Sequence, residues 1–149
     1  QGADYADGRD GDDRIFGGWG VDTVQGGAGN DRLDGEGEGD GLGGGAGQDN
    51  LIGGLGDDWM WGGAGSDAFW IDLASLEAGG HDRIMDFEDN SPAAADWIRF
   101  DGVRYDQIIW YEQESSAVIQ VALDDGGSHY VEIMNFTLAQ LADQYYGHG

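Results

Sequence analysis

Apolar residues recur every nine positions through the first half of the chain, at Ala6, Ile15, Val24, Leu33, Leu42, Leu51, Met60 and Phe69. Two positions before each stands an aspartate: Asp4, Asp13, Asp22, Asp31, Asp40, Asp49, Asp58 and Asp67. Most of the intervening residues are Gly. A spacing of nine fits neither the helical period nor simple strand alternation. It is an internal repeat, each copy a unit too small to bury its own apolar face. In each copy a Gly-rich part suits a tight turn, because Gly takes φ > 0 at little cost. The three residues centred on the apolar one predict a very short strand with its middle side chain pointing inward.

If successive strands lie on opposite faces of a flattened coil, one winding takes eighteen residues. The Ile15/Leu33/Leu51/Phe69 file then faces the Ala6/Val24/Leu42/Met60 file. The aspartates fall into two columns, Asp13/Asp31/Asp49/Asp67 and Asp4/Asp22/Asp40/Asp58. The expected fold is all-β, a parallel β-roll solenoid over residues 1–70.

Beyond residue 70 the grammar changes, since 23 of the 30 Gly lie in residues 1–70. Strand signals persist at Trp97–Phe100, Gln107–Tyr111, Ala117–Leu123 and Tyr130–Phe136, with turn signals at Asp101-Gly102 and Asp125-Gly126-Gly127. Thr137 is placed to N-cap one short helix through Leu138, Leu141 and Tyr145. A solenoid needs an atypical terminal unit, so residues 71–149 are expected to form a β-rich cap packed on the roll.

Charge sharpens this picture. Thirty acidic residues face six basic ones, all Arg, for a net charge of −24. Self-repulsion on that scale disfavours a compact state unless cations neutralise it. It also argues against nucleic acid and anionic membrane surfaces as partners, since both need basic contacts. No stretch approaches the roughly 20 apolar residues of a membrane span. Cysteine is absent, which leaves metal ions as the obvious staple for a small extracellular fold. Stacked Asp columns with exposed turn carbonyls suit calcium, which accepts six to eight oxygens at roughly 2.3–2.6 Å in flexible geometry; the small octahedral shell of magnesium suits them less.

The copies follow the pattern GGxGxDxUx, U being apolar, most clearly over residues 17–34 and 44–70. They resemble the RTX calcium-binding repeats. The resemblance implies several calcium ions held between turns eighteen residues apart. The earlier turn would give its second and fourth carbonyls and its Asp, the later turn its first and third carbonyls and its Asp. Carried onto this chain, one site takes Gly27, Gly29 and Asp31 with Gly44, Ala46 and Asp49. A second takes Gly45, Gly47 and Asp49 with Gly62, Ala64 and Asp67, and a third Gly18, Gly20 and Asp22 with Gly35, Gly37 and Asp40. The same rule joins Gly11 and Asp13 to Gly26, Ala28 and Asp31, and Asp40 to Gly53, Leu55 and Asp58. Departures fall at Arg9 and at Glu36 and Glu38, which stand where Gly is expected. A non-Gly residue at φ > 0 is strained; alternatively, the two Glu carboxylates strengthen ion binding or recruit another ion.

Gly80-His81-Asp82-Arg83-Ile84-Met85-Asp86-Phe87, followed by Asp96-Trp97-Ile98-Arg99-Phe100, resembles the segment closing the roll in serralysin-type C-terminal domains. By that resemblance Gly54, Gly56 and Asp58 are completed by Asp82, and Gly63, Gly65 and Asp67 by Asp86.

Catalytic signatures are missing. Gly39, Gly41 and Gly44 satisfy G-x-G-x-x-G without the strand–helix context of a dinucleotide site, and the absence of Lys excludes a P-loop. Neither H-E-x-x-H nor G-x-S-x-G occurs. Trp59 and Trp61 flank the inward Met60 and should point outward on one face, as should Trp70 on the other. Such aromatics bind sugars or partners, or pack under the cap.

The sequence thus reads as a non-enzymatic, calcium-binding, monomeric module of a larger bacterial protein, exported by a type I system and folding on calcium outside the cell. Polysaccharide and the parent protein's catalytic domain are the further candidate partners. The alternatives are a carbohydrate-binding or substrate-positioning accessory module, as in a polysaccharide epimerase, or the C-terminal domain of a serralysin-type protease or lipase.

Overall fold

The computed structural model describes residues 2–72, 80–88, 95–113, 116–122 and 128–137. Ten strands trace the two files and their continuation: β1 (Tyr5–Asp10), β2 (Arg14–Trp19), β3 (Thr23–Ala28), β4 (Arg32–Gly37), β5 (Gly41–Ala46), β6 (Asn50–Ile52), β7 (Trp59–Ala64), β8 (Ala68–Asp72), β9 (His81–Ile84) and β10 (Trp97–Asp101). A 3₁₀ turn at Tyr105–Gln107 leads into β11 (Ile108–Gln113), β12 (Ser116–Ala122) and β13 (Ser128–Ile133). The described residues contain no α-helix. The helix expected after Thr137 and the turn at Asp125-Gly126-Gly127 lie outside them.

Odd and even strands of the roll separate into two sheets. One runs β1-β3-β5-β7-β9-β13-β12-β11, the other β10-β8-β6-β4-β2. Pairing through the repeats is parallel, with Ala6, Val24, Leu42 and Met60 in register on one sheet. Ile15, Leu33, Leu51 and Phe69 are in register on the other. This is the β-roll read from the ladder. The strands are longer than the three residues expected, mostly six. With no side chain to separate adjacent windings, the Gly-rich part also pairs, as Gly27 with Gly45 and Ala28 with Ala46, so the turn proper shrinks to about three residues such as 29–31.

Val24, Leu33, Leu42, Leu51, Met60 and Phe69 are fully buried between the sheets. Each contributes on the order of 1.5–3 kcal/mol relative to exposure.

Beyond residue 72 the coil continues with longer steps. Asp82 follows Asp58 after 24 residues, and Asp96 follows Asp67 after 29. β9 then pairs with β7 and β10 with β8. β13 adds parallel to β9, and β12 and β11 follow antiparallel. Phe87 links the parts: its ring lies 6.1 Å from Phe69 and 5.1 Å, edge-on, from Phe136. Ile84, Ile98, Ile119, Val131 and Ile133 extend the same core.

Trp59, Trp61 and Trp70 take the directions expected of them. Trp59 and Trp61 are exposed on the first sheet, beside Gly41 and Gly43. Trp70 lies on the outer face of the second, with the Arg99 guanidinium 4.2 Å above its ring. Trp19, the last residue of β2, is 63 % exposed.

Candidate metal centre

Each turn brings its Asp to the end of a strand, and eighteen-residue stacking sets these side chains one above another. The carboxylate is tied backwards along the column. Asp22 Oδ1 accepts from the Asp4 amide at 2.7 Å, Asp40 from Asp22 at 2.7 Å, and Asp58 from Asp40 at 2.8 Å. In the other column Asp31 accepts from Asp13, Asp49 from Asp31 and Asp67 from Asp49, at 2.8 to 2.9 Å. Asp22, Asp31, Asp40, Asp49, Asp58 and Asp67 are all buried.

The second carboxylate oxygen has no such partner. Among the described residues, Oδ2 of Asp13, Asp22, Asp31, Asp40, Asp49, Asp58 and Asp67 is buried with nothing to donate to it. It faces the next turn. A Cβ built on Gly26 would collide with both Asp31 Oδ2 and the Gly44 carbonyl oxygen. The same crowding unites Asp49 Oδ2 and the Gly62 carbonyl at Gly44, and Asp40 Oδ2 and the Gly53 carbonyl at Gly35. Asp13 with the Gly26 carbonyl, and Asp22 with the Gly35 carbonyl, repeat it. An orphaned buried carboxylate oxygen beside a carbonyl oxygen is a costly arrangement without a cation. It supplies the hard oxygen donors that calcium takes.

The remaining expected ligands occupy consistent places. The Gly11, Gly27, Gly29, Gly45 and Gly47 carbonyls point at Gly29, Gly45, Gly47, Gly63 and Gly65 of the next winding. Gly18 and Gly20 have positive φ like their counterparts. The third-position carbonyls of Ala28, Gly37, Ala46 and Ala64 accept from the amides of Gly11, Gly20, Gly29 and Gly47. Leu55 donates its amide to the Glu36 carbonyl. Gly54 packs against the Glu36 backbone, Gly56 against that of Glu38, and the Gly56 carbonyl against Gly80. Among the described residues no three acidic or His side chains converge on one point, so an ion held between turns would have to draw on backbone carbonyls as well.

Glu36 and Glu38 do sit at positive φ, 71° and 72°, as Arg9 does at 76°. Both Glu side chains are exposed. Next to them the Gly20 amide lies 3.4 Å from the Gly37 carbonyl, against 3.2 Å from Gly2 to Trp19 and 2.7 to 2.8 Å at the three other equivalent contacts.

Burial raises the column carboxyls. Asp40, Asp49, Asp67 and Asp96 are pushed from 3.8 to about 6, by desolvation first and neighbouring carboxylates in part, against a lowering by the amide bond. Asp58 is raised furthest, by burial and then by the Asp82 charge. Without a cation these sites resist ionisation.

At the far end Asp82 takes the position after Asp58, its Oδ1 accepting from the Asp58 amide at 3.2 Å. The corresponding partner of Asp67 is Asp96, at 3.0 Å. Asp86, the residue expected there, instead accepts from the amides of Gly62 and Gly63, while its charge helps to raise Asp67. The sequence carried a signal for this: Asp96-Trp97-Ile98 and Asp82-Arg83-Ile84 keep the Asp-x-apolar spacing of the repeats, whereas Asp86-Phe87-Glu88 does not. His129, fully buried against Asp82, had no signal at all; 47 residues separate the two.

The family model of the RTX calcium-binding nonapeptide repeat (4 copies) matches residues 1–33, 16–48 and 43–70. Residues 1–70 belong to the RTX repeats. Calcium is the ion that RTX repeats bind, and the orphaned oxygens of this roll fit it. A search of curated proteins gives no match. Among solved structures this chain is similar to the AlgE6R3 subunit from the Azotobacter vinelandii mannuronan C5-epimerase. The two share 25% identity over 95% of this chain and 82% of that one, with a TM-score of 0.44.

Proposed function

We propose that this chain is a calcium-dependent folding module of a larger exported protein, non-catalytic in itself, unfolded where calcium is scarce and folded outside the cell. The observation that carries the reading is the set of seven buried, donorless Asp Oδ2 atoms. When bound, calcium supplies positive charge and accepts six to eight oxygens. The chain's own part is to hold those oxygens in place. The Gly-rich turns bring carbonyls close, the amide bonds to Oδ1 aim each carboxylate, and the eighteen-residue stack repeats the arrangement. In this reading the forward oxygens of Asp13, Asp22, Asp31, Asp40 and Asp49, with the carbonyls of Gly26, Gly35, Gly44, Gly53 and Gly62, are ligands. Gly11, Gly18, Gly20, Gly27, Gly29, Gly45 and Gly47 supply the others from the earlier turns.

The energetics follow from linkage. Ligand that binds only the folded chain adds its binding free energy to folding. Extracellular calcium modules bind at roughly 10⁻⁴–10⁻³ M, a range that separates folded from unfolded across the cell envelope and suits export by a type I system. Residues 71–149 act as the closing cap of a monomer. Far-ultraviolet circular dichroism tests this directly: β-content should rise cooperatively with millimolar calcium. Equal β-content in EDTA and in calcium would overturn it.

A second reading rests on the outer face of the second sheet. There Arg14, Arg32 and Arg99 lie among Phe16, Trp70 and Trp97, three of the six basic residues of a chain with net charge −24. Such a face suits an acidic polysaccharide and an accessory role beside a catalytic domain. Titrating acidic and neutral polysaccharides in calcium, followed by tryptophan fluorescence, checks it; no response to the acidic polymers removes it.

A further inference from the structure

The two Asp columns change character at their C-terminal ends. From Asp13 to Asp67 each column carboxylate keeps a buried forward oxygen with no donor. The next member of each column does not. Asp82 Oδ2 lies 2.9 Å from His129 Nε2, with both side chains buried. Asp96 Oδ2 accepts from the Glu88 amide at 2.8 Å. In both cases Oδ1 still bonds backwards, to the amides of Asp58 and Asp67. So the backward half of each unit is unchanged, while the forward half has been given a hydrogen-bond donor.

A carboxylate oxygen only accepts, so Nε2 of His129 carries the hydrogen between them. Among the described residues Nδ1 is buried with no partner. That position suits a bare ring nitrogen better than a second N–H, which would bury an unmet donor. The tautomer is thereby fixed. A hydrogen aimed at Asp82 Oδ2 also occupies the place where the preceding units turn an oxygen towards the next ion.

We propose that the ion ladder is ended by hydrogen-bond donors from the C-terminal segments: His129 closes the Asp82 column and the Glu88 amide closes the Asp96 column. This rests on the calcium reading above and adds where the ladder stops. Asp58 and Asp67 are the last carboxylates to turn an oxygen towards an ion. Asp82 and Asp96 spend theirs on docking β13 and the segment before β10. His129 is a positioning residue, holding β13 against the roll through a bond that needs no metal.

Long-range ¹H–¹⁵N spectra of the intact chain at saturating calcium test this. His129 Nε2 should carry a slowly exchanging hydrogen and Nδ1 none. A bare Nε2, or a rapidly exchanging hydrogen there, would show that the oxygen of Asp82 has been released to an ion or to water, and would overturn the proposal. Hydrogen-exchange mass spectrometry of His129→Ala gives an independent check. At saturating calcium β12 and β13 should exchange at least tenfold faster than in the unsubstituted chain, while β3 to β6 keep their protection. Unchanged protection of β12 and β13 would also overturn it. If the chain shows no calcium-dependent folding, the calcium reading fails, but the Nε2 hydrogen can still be read in whatever folded state exists.

Discussion

Replacing Asp49 by Asn should stabilise the ion-free roll and destabilise the calcium-loaded one. Asp49 is buried at the middle of its column, and its carboxyl is raised from 3.8 to about 6, chiefly by desolvation. A raised carboxyl contributes stability below its unfolded value and loses it as pH rises through the folded one. At about pH 7.5 both states are ionised, and the penalty on the ion-free fold is about 3 kcal/mol. Asn removes that penalty. Its Oδ1 can still accept from the Asp31 amide, and its Nδ2 can donate to the Gly62 carbonyl, which crowds the same point as Asp49 Oδ2. That new hydrogen bond adds about 1 kcal/mol. In calcium the sign reverses, because a charged oxygen ligand becomes a neutral group turned the wrong way. A midpoint shift to at least tenfold more calcium, about 1.4 kcal/mol, is expected. Circular dichroism in EDTA, with sucrose titrated to bring the ion-free transition on scale, measures the first effect. A calcium titration measures the second. Less structure than the unsubstituted chain in EDTA, or an unmoved calcium midpoint, would refute the reasoning.

The same carboxyls predict that acid partly substitutes for the ion. Asp40, Asp49, Asp67 and Asp96 all titrate near 6 in the fold against an ordinary 3.8, so in EDTA order should grow as pH falls from about 7 towards 4, read by circular dichroism; a flat profile counts against it. Gly45→Ala should be at least about 2 kcal/mol worse than Gly11→Ala in urea unfolding at saturating calcium. The two share nearly the same φ, 111° and 113°, but a Cβ at Gly45 strikes the Gly27 carbonyl whereas one at Gly11 meets nothing within 4 Å. Equal losses would show that strain alone decides, without stacking.

What could be read from the sequence was whatever repeats. One Asp and one apolar residue per nine positions define the winding, the facing files and both columns, because each copy sits in the same surroundings as its neighbours. The Gly-rich spacing did not reveal that strands extend into the turn segments, since backbone pairing leaves no mark on side chains that are absent. The repeat also fails as a guide where the step lengthens to 24 and 29 residues. There Asp96 rather than Asp86 takes the amide of Asp67, and only the Asp-x-apolar spacing distinguishes them. The antiparallel order of β11 to β13 and the burial of His129 depend on contacts remote in sequence, for which local composition holds no information.

The uneven steps have one more consequence. Within the repeats, sliding one edge past the other by a whole winding exchanges Val24 for Leu42 and Ala28 for Ala46, so a misaligned coil would lose little by its own accounting. The intervals of 24 and 29 residues occur once each, and Phe87 packs between Phe69 and Phe136. The aperiodic end therefore serves as an index mark: it tells an otherwise self-similar spring which rung is the last.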